Sequence, residues 1–351
     1  MARVSPVSKA PKKPPVQTLT LEGVSASPTI ERQHLILFST LGAPDTSVRL
    51  DTSGTLASRP CAARITQPCA LADGTVLALV DRPGEPRALA RISLEDDRWT
   101  PVHLPDDWHD PPYSVLPLDG DALLVASFAD RMRLGYTGVR FLTGERLVIP
   151  AEWTKYNSPT IQAFAIDDEV TLLLTNLRWL RWDRGQIQPV ANVGEQSVFG
   201  FGQLPNALRT REGLLYVCAG DMSPDRTRID PNSYRVQCFD RDGLVAFAEP
   251  ALSNAQVAWG GPGGAMIVQR KAETSRALLT IYWPATRTFA EIPRAWTPTI
   301  KHVHDVLYAQ HTDALWVTQR AYSKRDCREL THCARIPWSA IEELERKKFE
   351  Q

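Results

Sequence analysis

The 351-residue chain reads as an all-β protein made of seven similar four-stranded antiparallel units, and three observations predict this. Short apolar runs recur at a near-constant interval, a tight-turn signal precedes most of them, and a second strand-turn-strand pattern follows. The runs begin at Leu35 (LILFS), Val76 (VLALV), Ala122 (ALLVA), Val170 (VTLLL), Leu214 (LLYVC), Ala265 (AMIVQ) and Ala314 (ALWVT), at intervals of 41, 46, 48, 44, 51 and 49 residues. Apolar runs this short, bounded by turn residues, suit strands buried on both faces.

The turn signals are Asp73-Gly74, Asp119-Gly120, Asp167-Asp168, Glu212-Gly213 and Gly263-Gly264, so each run is entered through a tight hairpin. Downstream, VRLDTSGTLASRP from Val48, WLRWDRGQIQPV from Trp179 and RVQCFDRDGLVAFAEP from Arg235 supply the third strand, a turn and the fourth strand. A four-stranded unit of this kind buries both of its faces only against copies of itself. Two packed sheets of a sandwich would have no reason to repeat at this interval.

On that pattern the chain resembles the β-propeller superfamily with seven blades, over residues 18–338. The units lack the Gly-His and Trp-Asp pairs of WD40 repeats and the regular diglycine and spaced aromatics of kelch repeats. The last unit offers strands near 300–308, 314–318 and 333–338 but no fourth, and TLTLEG at 18–23 has the alternation to complete it and so remove an open edge. Residues 1–17, with Arg3, Lys9, Lys12 and Lys13 and four prolines, are expected to be a disordered basic tail. Residues 339–351 are expected to form a C-terminal helix with Ser339 and Glu342 as a capping box and Ile341 and Leu344 docked on the propeller. The scattered tryptophans, among them Trp108, Trp153, Trp182, Trp283 and Trp296, are expected to fill wedges between units.

Forty basic and forty acidic residues give a formal charge of zero, which argues against nucleic acid as a partner. No apolar run approaches bilayer length and no secretory leader is seen, so a cytoplasmic protein without a membrane span is expected. The cysteines fall as Cys61 and Cys69, Cys218 and Cys238, Cys327 and Cys333; half-buried thiols are the favoured reading and disulfides remain open.

Fold alone carries no function. The chain has no GxSxG, HExxH, Walker A or helix-opening GxGxxG motif. His302 and His304 share a strand face and offer two imidazoles to a metal, but two ligands without a third make no site, so no cofactor is expected. The loops from second to third strand, which share a face with the links between units, carry fourteen Arg or Lys against nine Asp or Glu, a difference of five. The opposite face is acid-heavy, with Asp73, Asp119, Asp121, Asp167, Asp168, Glu169, Glu212 and Asp313 against Arg209 and Arg211. The expected function is therefore a non-catalytic binding or scaffold module for a protein partner. Arg131, Arg133, Arg226, Arg228, Arg320 and Arg325 would make charge-assisted contacts, with Tyr136, Tyr322 and Met222 as apolar anchors, mostly on loops 221–233 and 320–331. The alternative is a hydrolase or lyase acting on a small molecule at the central channel mouth, near Tyr156, Asn157, Lys301 and His302.

Overall fold

The computed structural model describes residues 16–23, 25–40, 47–53, 56–61, 63–96, 98–104, 106, 108, 112, 114–118, 120–130, 133–149, 161–166, 169–174, 178–183, 185–192, 206–209, 215–219, 235–240, 242, 245–249, 255–271, 277–298, 305–325 and 328–348. Their strands form antiparallel sheets in chain order. Sheet I holds β2 (Ala26–Arg32), β3 (Leu35–Thr40), β4 (Val48–Asp51) and β5 (Ala57–Pro60). Sheet II holds β6 (Arg64–Ala70), β7 (Val76–Asp81), β8 (Ala88–Ile92) and β9 (Trp99–Pro101). Sheet III holds β10 (Ser114–Pro117), β11 (Ala122–Asp130), β12 (Arg133–Arg140) and β13 (Arg146–Ile149). Sheet IV holds β14 (Ile161–Ile166), β15 (Glu169–Leu174), β16 (Arg178–Asp183) and β17 (Gln186–Asn192). Sheet V holds β18 (Asn206–Arg209), β19 (Leu215–Ala219), β20 (Arg235–Phe239) and β21 (Val245–Glu249). Sheet VI holds β22 (Ala255–Gly260), β23 (Met266–Lys271), β24 (Ala277–Trp283) and β25 (Thr288–Glu291), and sheet VII holds β26 (Asp305–Ala309), β27 (Ala314–Ser323) and β28 (Arg328–Pro337). The first strand of each sheet touches the first strand of the next, from β2 through β6, β10, β14, β18, β22 and β26 back to β2, which closes a ring. The fold is a β-propeller.

Each apolar run seen in the sequence is the second strand of its sheet, and β7 shows why it is apolar throughout. Val76, Ala78 and Val80 pack toward sheet I, while Leu77 and Leu79 pack toward sheet III, so both faces of one strand are core. The core is thus a series of wedges between neighbouring sheets. Trp182 lies in the wedge between sheets III and IV and Trp316 in that between VII and I, as expected of rings that fill radial gaps. The turns that enter these strands use the predicted glycines: Gly74 and Gly120 have φ of +89° and +69°, a region that only glycine enters without strain.

The ring is closed at both termini. β1 (Gln17–Glu22) pairs with β28 from Gln17↔Arg335 to Glu22↔Leu330 and is the outer strand of sheet VII. Leu21 enters the wedge against sheet I, while the exposed positions bond sideways, Arg335 to Gln17 and Arg328 to Glu22, each at 3.0 Å. The expected short C-terminal helix is present, but over fewer residues than 339–351. α1 is the short turn Trp338–Glu342 with no side-chain cap, because Pro337 precedes it and the Trp338 N–H donates to the Asp313 carbonyl at 2.9 Å. Ile341 and Leu344 do pack on the core between sheets VI and VII. The chain then runs on as β29 (Lys347–Lys348), a fifth strand against the β25 edge, rather than continuing as helix.

Cys69 and Cys333 are free buried thiols, and burial pushes both up to about 12. A thiol whose folded value is raised contributes stability below its unfolded value and loses it as pH rises above that value. Iodoacetamide at pH 8 is expected to leave both unmodified in the native protein and to alkylate both in denaturant, as peptide mass spectrometry would read. Native alkylation at the rate of an exposed cysteine would contradict this burial.

Candidate functional site

Every sheet lends one face of the ring its links to the next sheet and the connections from second to third strand. In sheet II, Arg82 lies over the Trp99 ring at 3.7 Å and 3.5 Å from Glu85, and Arg87 is 3.3 Å from Asp81. Two connections differ in construction. β11 and β12 pair up to Asp130↔Arg133, and β27 and β28 pair up to Ser323↔Arg328, so both are long hairpins rather than loops.

The segment 320–331, expected as a loop, is therefore mostly strand. Backbone pairing continues past the apolar run because each strand satisfies the other's N–H and C=O groups whatever the side chains are. Arg320 sits on β27 with its Nη2 3.9 Å from Asp305 Oδ2, both about a third exposed, a geometry that contributes little stability. Tyr322, two residues on and so on the same face, is 59% exposed, among the most exposed large apolar groups described. Lys324 and Arg325 form the exposed turn beyond it. The base of the hairpin is anchored: the buried Thr331 hydroxyl accepts from the Ala26 N–H at 2.9 Å, and the Gly23 N–H donates to the Glu329 carbonyl at 2.8 Å.

The hairpin thus gathers Arg320, Tyr322 and Arg325. Tyr136 is not with them. It is 2% exposed and belongs to the core between sheets III and IV, so it packs instead of anchoring a partner. Its position on β12 puts it on the buried side of the pleat, a parity that the loop reading of the segment concealed. Arg133 opens β12. Arg131, Met222, Arg226 and Arg228 lie outside the described residues, as do Tyr156, Asn157, Lys301, His302 and His304. Among the described residues no group of three or more His, Cys, Asp or Glu could hold a metal, and no helix is long and apolar enough to cross a membrane.

The opposite face is made of first-to-second and third-to-fourth turns, and it holds a feature the sequence did not disclose. A cleft of about 740 Å³ opens between the turns of sheets VII, I and II, lined by Glu31, Arg32, Asp73, Glu95, Gln310 and His311 among others. Its walls are bonded across sheets. Glu31 Oε2 accepts the His311 N–H at 2.7 Å, and its Oε1 accepts the Thr312 N–H and hydroxyl at 3.1 and 2.8 Å. Arg32 Nη2 donates to the Leu71 carbonyl. Turn aspartates recur here: Asp51, Asp73 and Asp240 each accept the N–H two residues on, a local bond favoured by Asp at the start of a turn. The Asp in LDTSG, ADGT and FDRDG was a visible trace of that device.

The Thr75 hydroxyl and N–H, at 2.6 and 2.9 Å, hold the Asp73 carboxyl below its ordinary value of 3.8, and Arg91 at 3.1 Å adds to this. Ser53 does the same for Asp51. Because these folded values are depressed, their contribution is present above pH 3.8 and is lost as pH falls through the folded values. The urea midpoint is expected to fall between pH 5 and pH 3, and Asp73→Asn to flatten part of that fall; an Asn variant with the same pH slope as the parent would contradict the account.

No protein-family model matches the chain, and no curated protein matches it. Solved structures match in fold. An oligogalacturonate lyase in complex with manganese shares 12% identity and a TM-score of 0.56 over 93% of this chain and 98% of the other. YCF48 bound to the D1 peptide shares 11% and 0.55 over 93% and 97%. A prolyl endopeptidase shares 10% and 0.58 over 93% of this chain and 50% of the other. Identities this low establish the architecture alone.

Proposed function

We propose that this propeller is a non-catalytic binding module, a cytoplasmic scaffold that receives an anionic segment of a protein partner on the face bearing its two long hairpins. The observation that carries the reading is Tyr322, 59% exposed on an anchored hairpin whose turn bears Lys324 and Arg325. An exposed aromatic beside guanidinium and ammonium groups is the composition of an interface anchor, and a paired hairpin holds it with little ordering cost on binding. Arg131, Arg133, Arg226 and Arg228, with Met222, extend the contact in this reading. YCF48, of similar fold, was solved with a peptide bound, which is in keeping with it. The lyase and endopeptidase likenesses support a second reading, a hydrolase or lyase taking a small molecule at the channel mouth near Tyr156, Asn157, Lys301 and His302.

Affinity purification from the source cell separates them. The wild type is expected to bring down a stoichiometric protein partner. Tyr322→Ala, and a variant with Arg131, Arg133, Arg226, Arg228, Arg320 and Arg325 changed to Glu, are expected to lose it, the Tyr change alone weakening binding about thirtyfold. A partner held equally by all three sinks the proposal, and absence of any partner moves the weight to the channel mouth.

A further inference from the structure

The outer strand of each sheet lies on the rim of the ring and presents one side of its backbone to solvent unless something covers it. β5, β9 and β17 each contain a proline, Pro60, Pro101 and Pro189, which withholds an N–H from that outer side. β25 contains none, and the chain itself covers it. β29 pairs with it at Thr288↔Lys348 and Phe289↔Lys347, so that among the described residues sheet VI alone has a fifth strand.

The cover is slight. β29 reaches two of the four positions of β25, and both of its lysines are exposed. Arg346 lies over the Trp283 ring, 4.1 Å from its centroid, and is itself exposed. Ahead of it, Leu344 packs on the core between sheets VI and VII, which tethers the strand close to α1 and sets how far it can run along β25. Backbone pairing at two residues and one exposed cation–π contact are offset by the ordering of residues 345–348, so the closed and open forms lie close in free energy. A strand from another chain carries no such tether and can pair with Thr288, Phe289, Ala290 and Glu291 alike.

We propose that the outer edge of sheet VI is a docking edge for an extended segment of another protein, and that β29 is the resident strand which that segment displaces. The resident shows what the edge accepts: a proline-free stretch paired antiparallel through its backbone, with a basic residue just before it to lie over Trp283. This edge is distinct from the hairpin face, and no residue of β27 or β28 takes part in it.

A labelled peptide of residues 344–351, LERKKFEQ, is the probe, read by fluorescence anisotropy against the full-length chain. Lys347→Pro breaks the resident pairing at an exposed position. That variant is expected to bind the peptide about tenfold more tightly than wild type, the factor set by a resident strand in place about nine-tenths of the time. Arg346→Ala, which keeps the backbone pairing, is expected to fall between the two. Hydrogen exchange is expected to locate the peptide on β25, whose amides exchange faster in Lys347→Pro and are protected again when the peptide is added. Alanine in place of arginine within the peptide is expected to weaken binding about two- to fivefold. Equal binding to wild type and Lys347→Pro, no binding to Lys347→Pro, or protection away from β25 would each overturn the proposal.

Discussion

Trp316→Ala is expected to lower the unfolding free energy by about 3–5 kcal/mol, the range for removing a large aromatic from a packed core. The side chain is fully buried in the wedge between sheets VII and I and meets Phe38 edge-on, with centroids 6.3 Å apart at 87°. Its loss opens a cavity at the joint where the two ends of the chain meet, and neighbouring strands are held by their own ladders and cannot collapse into it. Trp316 Nε1 has no hydrogen-bond partner among the described residues, so Trp316→Phe removes volume and also a buried donor unsatisfied by them. The Phe variant is expected to lose less than half as much. Urea unfolding of the three proteins decides this; equal losses for Ala and Phe would show that the donor carries no penalty, and an Ala variant within 0.5 kcal/mol of wild type would remove Trp316 from the core.

Leu21→Asp is expected to cost at least as much, by a different route. Leu21 is 3% exposed on β1, opposite Thr331, and packs against Phe38 and Trp316. A carboxylate there must either be buried without a partner, at a cost of several kcal/mol, or pull β1 off sheet VII and leave the β28 edge open. Thr18→Asp, on the exposed side of the same strand, is expected to change stability by no more than about 0.5 kcal/mol. Hydrogen exchange of the β28 amides is expected to rise in Leu21→Asp and not in Thr18→Asp. If both variants behave alike, β1 does not close the ring.

Much of this fold was legible because a strand buried on both faces must be apolar at successive positions, as β7 is, and because the hairpin turns demand glycine or aspartate. The closing strand was legible for the same reason: TLTLE alternates, and only Leu19 and Leu21 need to face inward. The long hairpin of β27 and β28 was not, because Gln319 to Ser323 pair through the backbone and carry no side-chain trace of it. The candidate anchors divide on the same ground. Tyr322 and Tyr136 are equally aromatic, and only the pleat parity of their strands decides that one is exposed and the other buried. β29 is two lysines with no strand preference, formed because the β25 edge is there to pair with.

The sequence by itself determined the all-β class, the repeating four-stranded unit, the position of each second strand and the closure of the last sheet by the first strand. These follow from local turn chemistry and from the period of apolar residues, both written in consecutive residues. Only the tertiary structure decided which charges stay paired within a connection, which aromatic reaches solvent, and that Glu31 meets His311 and Thr312 to wall a cleft. The contacts of Glu31 join residues about 280 positions apart, brought together when the ring closes. No local rule encodes them, since the bonding partner is set by the curvature and register of every intervening sheet.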